Sequence, residues 1–488
     1  MYWKLNKDNP ISDNHWLVGQ GQHVTTKRLG TLREIFFKAK QVLRKDTIFS
    51  LDNWKFWLKC AREEFRLHKY SHDYNPNLSK FQNDETFPEC IPDYKKKLDR
   101  KLKVVFFSHN LNYEGAPNIL LEVVRGLKTK NRIIPVIVSI NQGPQPQYKD
   151  LIAEGFCVHQ LPVLKQNNML DIEQGIKRVR DFLLEQKPDL VVTNVLVTFF
   201  VVEASMQLGL PTLWWIHESY EPATMVKNLP PKSFPWVKKA LNDVTMTLFV
   251  SRETSHLYKN YNQKLNYRVI HNSLDVNKIK GATTSANRIR ARKELSLDSL
   301  KKVIVSVGTV CERKNQITLV EAAKILSQTH DDFIFYLVGY RESLKYGTYI
   351  FNQIKKYQLE DVVKLIPETP NVEQYYLAAD IFAFSSLNES YSLTILEAMA
   401  YGLPIVTTRC FGITEQVRFG TNALEVDFKN PIMFAQKISI LLDDQRKRKR
   451  FGKNSLEIMR YMQSKEEMLE KHETLLFSLY YLYTKQDV

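Results

Sequence analysis

At 488 residues the chain is too long for one ordinary domain and accommodates two or three. Its 44% hydrophobic and 25% charged residues suit globular cores, which excludes intrinsic disorder, collagen-like repeats and a disulfide scaffold. Lys and Arg number 69 against 53 Asp and Glu, and the resulting +16 implies an anionic partner: nucleic acid, an acidic membrane surface or a phosphate-bearing ligand.

Residues 1–99 carry charged and aromatic stretches without strand–helix alternation. Helical periodicity predicts one helix over 28–46, with Leu29, Leu32, Ile35, Phe36, Ala39, Val42 and Leu43 on one stripe. A second falls over 53–69, where Trp54, Trp57, Leu58, Ala61 and Phe65 align behind the N-cap candidate Asn53. This basic amphipathic pair suits either an anionic bilayer, through residues 28–69, or packing on the rest of the chain or a sister subunit. A basic segment at 95–103 closes this extension.

From residue 103 the texture changes. VVFF (104–107), IIPVIV (133–138), VHQL (158–161), LVV (190–192), TLWWI (212–216) and MTLFV (246–250) are short apolar runs separated by helix-length stretches. Near-continuous apolar strands alternating with helices predict a parallel sheet covered on both faces. The run at 190–206 contains Asn194 and Glu203 and reads as a strand and a packed helix, not a membrane span. After a less apolar linker at 281–300 the pattern repeats: VIVSV (303–307), FIFYLV (333–338), VVKLI (362–366), IFAF (381–384) and PIVT (404–407). The expected organisation is an extension (1–99), a first Rossmann-like domain (100–280), the linker, a second such domain (301–460) and a C-terminal helix (461–488) that crosses back to the first. Two such domains place a ligand cleft between the carboxyl ends of their sheets.

The five cysteines (60, 90, 157, 311, 410) form no C-x-x-C pair, and the N-terminus lacks a secretory signal, so a cytoplasmic setting is expected, at the inner membrane face if the N-terminal helices bind lipid. Glycine is scarce, at 17 residues. The basic run at 446–450 follows two aspartates in a helical stretch and reads as a solvated face. With no nucleic-acid-binding module in view, no nucleic-acid partner is expected.

The most specific segment is SSLNESYSLTILEAMAYGLP at 385–404. A strand ends at Phe384, a loop carries Glu389, and a helix beginning near Leu393 carries Glu397. Helix-start amides at Ser392, Leu393 and Thr394 suit a phosphate, and the two carboxylates suit sugar hydroxyls. Taken singly, either glutamate is as readily a dipole partner or a loop residue. The whole string, E-x7-E followed by A-M-A-x-G-x-P-I-V, resembles the donor-sugar motif of GT4-family retaining glycosyltransferases of GT-B fold, with serines at 390 and 392 where many members have glycine.

That resemblance spans residue 103 to the C-terminus and implies roles residue by residue. Glu389 would contact the donor sugar, and Glu397 the ribose hydroxyls. VGTVCERKNQ (307–316) resembles the loop whose lysine grips the donor pyrophosphate, making Lys314, with Arg313 beside it and Gly308 at the strand end, the diphosphate candidates. Gly339 in FYLVGYRES matches the first glycine of L-V-G-x-G, with Arg341 in place of the second, and Ile366 falls near the base. Gly115 sits in the loop that passes the donor phosphate, with Asn118 and Glu122 towards the acceptor. His217, in WWIHES, would contact the sugar or reacting centre, and VIHNSLD (269–275) would shape the domain junction.

The expected activity is transfer of a sugar from a nucleoside diphosphate sugar to a hydroxyl of a glycan or lipid-linked glycan in polysaccharide biosynthesis. No cofactor and no metal are expected, the chain lacking Asp-x-Asp. The runner-up is a catalytically silent GT-B subunit supporting an active partner.

Overall fold

The computed structural model describes residues 98–484 except 142, 144, 163–168, 226–232, 263, 265 and 299. The helices expected at 28–46 and 53–69, their membrane contact, Cys60 and Cys90 lie outside the described residues.

The first sheet has seven parallel strands: β1 Leu102–Ser108, β2 Ile133–Ser139, β3 Cys157–Gln160, β4 Leu190–Asn194, β5 Thr212–Ile216, β6 Met246–Phe249 and β7 Tyr267–Val269. They lie in the order β3-β2-β1-β4-β5-β6-β7. The second has six, β8 Lys302–Val307, β9 Phe333–Tyr340, β10 Val363–Pro367, β11 Ile381–Phe384, β12 Ile405–Thr408 and β13 Ala423–Val426, in the order β10-β9-β8-β11-β12-β13. Both are doubly wound, so the strand order reverses between β1 and β4 and between β8 and β11. Ligands of such sheets enter at these switch points.

Burial explains the apolar runs. In β5, Leu213 and Trp215 face the core layer beneath helix Gly115–Thr129, while Trp214 and Ile216 face the opposite layer, and all four are at most 1% exposed. The helix Lys465–Thr484 returns to the first domain and packs Met468, Leu469, His472, Leu476 and Phe477 into that same layer. Gly126 makes room for it: a Cβ there would lie 2.5 Å from Leu469.

Residues 281–300, the expected linker, carry a helix. Helix Ser285–Glu294 is capped by Thr284, whose hydroxyl accepts the Asn287 amide. Arg288 Nη2 donates to Asp380 at 2.8 Å and Arg292 Nη1 to the Ala378 carbonyl at 3.1 Å, pinning the helix to the second domain. Strands β7 and β13 also escape the apolar pattern, because YRV is half-buried and ALEV carries a glutamate. Among the described residues no helix is long and apolar enough to cross a membrane.

Candidate active site

The loop after β8 turns back on itself through Asn315, which takes φ of 53° and is held by its side-chain amide on Thr318 Oγ1 at 2.8 Å. This returns Lys314 to the sheet edge, with its ammonium 4.6 Å from the centre of the Phe384 ring at the end of β11. Ser385 Oγ donates to the carbonyls of Lys314 (2.9 Å) and Asn315 (3.0 Å), stitching the two switch-point loops together. Gly339 is required here: its φ is +120°, and a Cβ would fall 2.4 Å from the Gly308 carbonyl oxygen.

Glu389 is the centre of the arrangement. Its Oε1 accepts from Arg313 Nη1 at 2.6 Å, Lys314 Nζ at 2.6 Å and Ser386 Oγ at 2.7 Å. Burial alone would raise this carboxyl, but the Lys314 and Arg313 charges hold it below its ordinary value. Burial lowers Lys314, an effect the Glu389 charge opposes and the Arg313 charge adds to. Lys314 and Glu389 are enclosed, whereas the Arg313 side chain is 40% exposed.

The helix Leu393–Ala400 follows. The Ser392 amide, expected to be open to a phosphate, is taken by Gln416 Oε1 at 2.9 Å, and Gln416 Nε2 in turn donates to the Ser392 carbonyl at 2.7 Å. Leu393 and Thr394 remain as first-turn amides. Ser390, Ser392, Ser273 and Arg341 stand where the family pattern has glycine, yet none takes a positive φ, so their side chains cost no backbone strain. Glu397 receives the Tyr376 hydroxyl on Oε2 at 2.7 Å, and burial lifts its carboxyl to about 7. Ile366 lies at the irregular end of β10, half-buried against the core, where the register with β9 shifts.

On the opposite wall, His217 follows β5 with its ring 4.8 Å from that of Trp215, which lies 4.6 Å from that of His472 on the returning helix. His217 Nε2 is buried with no partner among the described residues. Burial, reinforced by His109 and His472, lowers its basicity to about 3, so the imidazole is neutral at physiological pH. Beside it Glu218 accepts the amides of His217 (3.1 Å) and Leu196 (2.8 Å). Val195, between β4 and that amide, takes φ of 69°, a strained conformation for a β-branched residue at a sheet edge. Gly115 opens its helix with no atom within 4 Å of where a Cβ would stand. Asn118 receives Gln147 Nε2 at 3.0 Å. Glu122, expected to face the acceptor, is instead engaged by Lys465 of the returning helix.

Side chains bridge the walls where sequence reasoning saw no partners. Asn388 Nδ2 donates to the Ser219 carbonyl at 2.9 Å, and the Ser219 hydroxyl donates to Asn388 Oδ1. Arg341 grips Glu368 through two 2.8 Å bonds and reaches across to Glu114 at 3.2 Å. Glu415 accepts the amides of Arg252 (3.2 Å) and Glu253 (2.9 Å) and pairs with His271 Nε2 at 2.8 Å. Asn388 was findable, standing directly before the motif glutamate; Arg341 and Glu415 carry no sequence signal for their partners. Among the described residues no group of three or more His, Cys, Asp or Glu could hold a metal ion.

Comparison with known proteins places this geometry. The family described as Glycosyltransferase Family 4 matches residues 113–278, and the family described as Glycosyl transferases group 1 matches 287–457. A D-inositol 3-phosphate glycosyltransferase of Pseudarthrobacter chlorophenolicus is 30% identical over 175 residues, 35% of this chain and 41% of that protein. The N-acetyl-alpha-D-glucosaminyl L-malate synthase of Bacillus anthracis is 25% identical over 189 residues, 38% of this chain and 48% of that one. The chain spans about two-fifths to three-fifths of the length of the curated relatives it matches. The Anabaena protein Alr3699/HepE, solved in complex with UDP and glucose, superposes with a TM-score of 0.67 at 19% identity, over 77% of this chain and all of that one. The two matched regions together run through both sheets and the cleft between them, and the chain belongs to the GT4-type glycosyltransferases of GT-B fold.

Proposed function

We propose that the protein is a retaining glycosyltransferase that moves a sugar from a nucleoside diphosphate sugar to a hydroxyl of a glycan or lipid-linked glycan. The observation that carries this is the Arg313–Lys314–Glu389 cluster at the β8/β11 switch point, joined through Asn388 to Ser219, two residues beyond the neutral His217. The UDP held by the solved Anabaena neighbour and the glycosyltransferase activity in the relatives' names support the same reading.

In this mechanism the leaving diphosphate draws Arg313 and Lys314 away from Glu389, and the first-turn amides of Leu393 and Thr394 face its remaining oxygens. Charge that builds on the leaving oxygen thus meets donors already in place. Glu389, released from one or both cations, turns its carboxylate to hydroxyls of the transferred sugar, and Glu397 takes the ribose diol. A neutral His217 accepts or donates one hydrogen bond to the sugar without adding charge to the oxocarbenium-like centre. The acceptor hydroxyl attacks the anomeric carbon from the face the diphosphate leaves. The bond from the anomeric carbon to the phosphate oxygen breaks as the glycosidic bond to the acceptor oxygen forms on the same face, the acceptor's proton passes to the leaving phosphate, and configuration is retained. No metal is invoked.

Protection against thermal unfolding by a panel of nucleoside diphosphate sugars identifies the donor. NMR of the first-formed product then reads its anomeric configuration: the donor's own configuration is expected, and inversion refutes the retaining mechanism. Failure of every nucleotide to protect favours the silent-subunit reading.

A further inference from the structure

Tyr376 belongs to no recognised motif, yet it is 1% exposed and points its hydroxyl at a carboxylate of the donor site. Its ring is fixed on two sides. The Tyr401 ring lies parallel at 5.1 Å and 5°, from the end of the helix that carries Glu397, and the Phe382 ring of β11 lies at 6.0 Å. The hydroxyl is 2.7 Å from Glu397 Oε2 and 3.5 Å from the Thr394 carbonyl, so it reaches into the first turn of that helix. Burial raises Tyr376 well above its ordinary value, so it stays a phenol, and hence a donor, at physiological pH. One Glu397 oxygen is thereby occupied, and among the described residues no hydrogen bond engages the other on this half-buried side chain.

We propose that Tyr376 is a positioning residue for the donor nucleoside: by holding Glu397 Oε2 it fixes the carboxylate so that Oε1 accepts the ribose hydroxyls. The proposal rests on Glu397 serving the ribose, as proposed above. The same hydrogen bond opposes the effect of burial on Glu397, favouring the ionised form that accepts both hydroxyls. A purely structural tyrosine would lend stability to the helix without distinguishing one nucleotide sugar ring from another.

The test uses the full chain with UDP, GDP, ADP and CDP, and the 2′,3′-dideoxy form of whichever binds. Tyr376→Phe keeps both ring stacks and removes only the hydroxyl. We expect roughly tenfold weaker binding of the ribonucleotide, the scale of one hydrogen bond to a charged group, with the dideoxy form bound as by the wild type. In turnover the loss appears in KM for the donor and not in kcat. In a Glu397→Gln background Tyr376→Phe then adds little, because the charged acceptor is already gone. Equal weakening of ribo and dideoxy forms, or additive losses in the cycle, overturns the positioning role while leaving the donor site intact. If no nucleoside diphosphate binds the wild type, the donor-site reading fails and takes this proposal with it.

Discussion

The two walls of the cleft are built on the same strand order but finished in opposite ways. On the second-domain wall Glu389, Lys314, Arg313 and Ser386 satisfy one another, and among the described residues of that domain only Gln316 Oε1 is buried without a partner. On the first-domain wall His109 Nδ1, Thr193 Oγ1, Asn194 Oδ1, Trp215 Nε1 and His217 Nε2 are all buried without a partner among the described residues, at or next to the ends of β1, β4 and β5. Unpaired buried polar groups are costly. The difference teaches that one wall settles its buried polar groups by charge pairing within itself, whereas the other carries a standing polar deficit.

The sharpest way to break this contrast is Glu389→Ala, which leaves Lys314 enclosed beside Arg313 with no counter-charge. Loss of one member of a buried charge cluster costs about 3–5 kcal/mol, read as a large drop in unfolding temperature. Turnover should fall by about 10²–10³, the scale of a lost electrostatic partner in a transition state. A variant as stable as the wild type would mean that the cluster is not the keystone of its wall.

His217→Gln should behave differently, with turnover reduced by about 10²-fold and a smaller loss of stability than Glu389→Ala, because no internal hydrogen bond is removed. Since His217 is neutral above about pH 3, the rate profile should carry no limb near pH 6.5 that His217→Gln abolishes. Finding such a limb would refute the neutral imidazole.

Glu397 gives a pH effect of known sign. Its folded value of about 7 lies above the ordinary 4.5, so the folded state holds the extra proton between them. This carboxyl's contribution to stability therefore declines as pH rises from 4.5 to 7, whereas nucleotide affinity should rise severalfold between pH 6 and 8 as the ionised acceptor forms. Parallel titrations of unfolding temperature and nucleotide affinity should run in opposite directions. The smallest effect is expected for Arg341→Gly: its bonds to Glu368 and Glu114 sit at the cleft mouth, and such pairs contribute about 0–1 kcal/mol. Small-angle scattering of the unliganded variant should detect a wider cleft even where stability hardly moves.

The fold was legible because parallel interior strands must be apolar on both faces, which makes runs such as TLWWI conspicuous. Short or mixed strands such as YRV and ALEV do not announce themselves, and helix Ser285–Glu294 is held by arginines instead of an apolar stripe. At the site, residues that follow a strand inside a contiguous motif stood out: Lys314, Glu389, Glu397 and His217. Partners separated by more than a hundred residues, such as Ser219 with Asn388 or Glu415 with the Arg252 amide, are individually ordinary and acquire meaning only in three dimensions.

The returning helix has one more consequence. Because the chain leaves the first domain near residue 272 and re-enters it near 463, the second domain is topologically an insertion, attached at two points. These points are tied to each other: Ser273 Oγ donates to the Gln463 carbonyl at 2.6 Å, and Gln463 Nε2 to the His271 carbonyl at 2.8 Å. Two attachments side by side behave as the paired pins of a door. They restrain sliding and separation of the domains more than rotation about the line joining them.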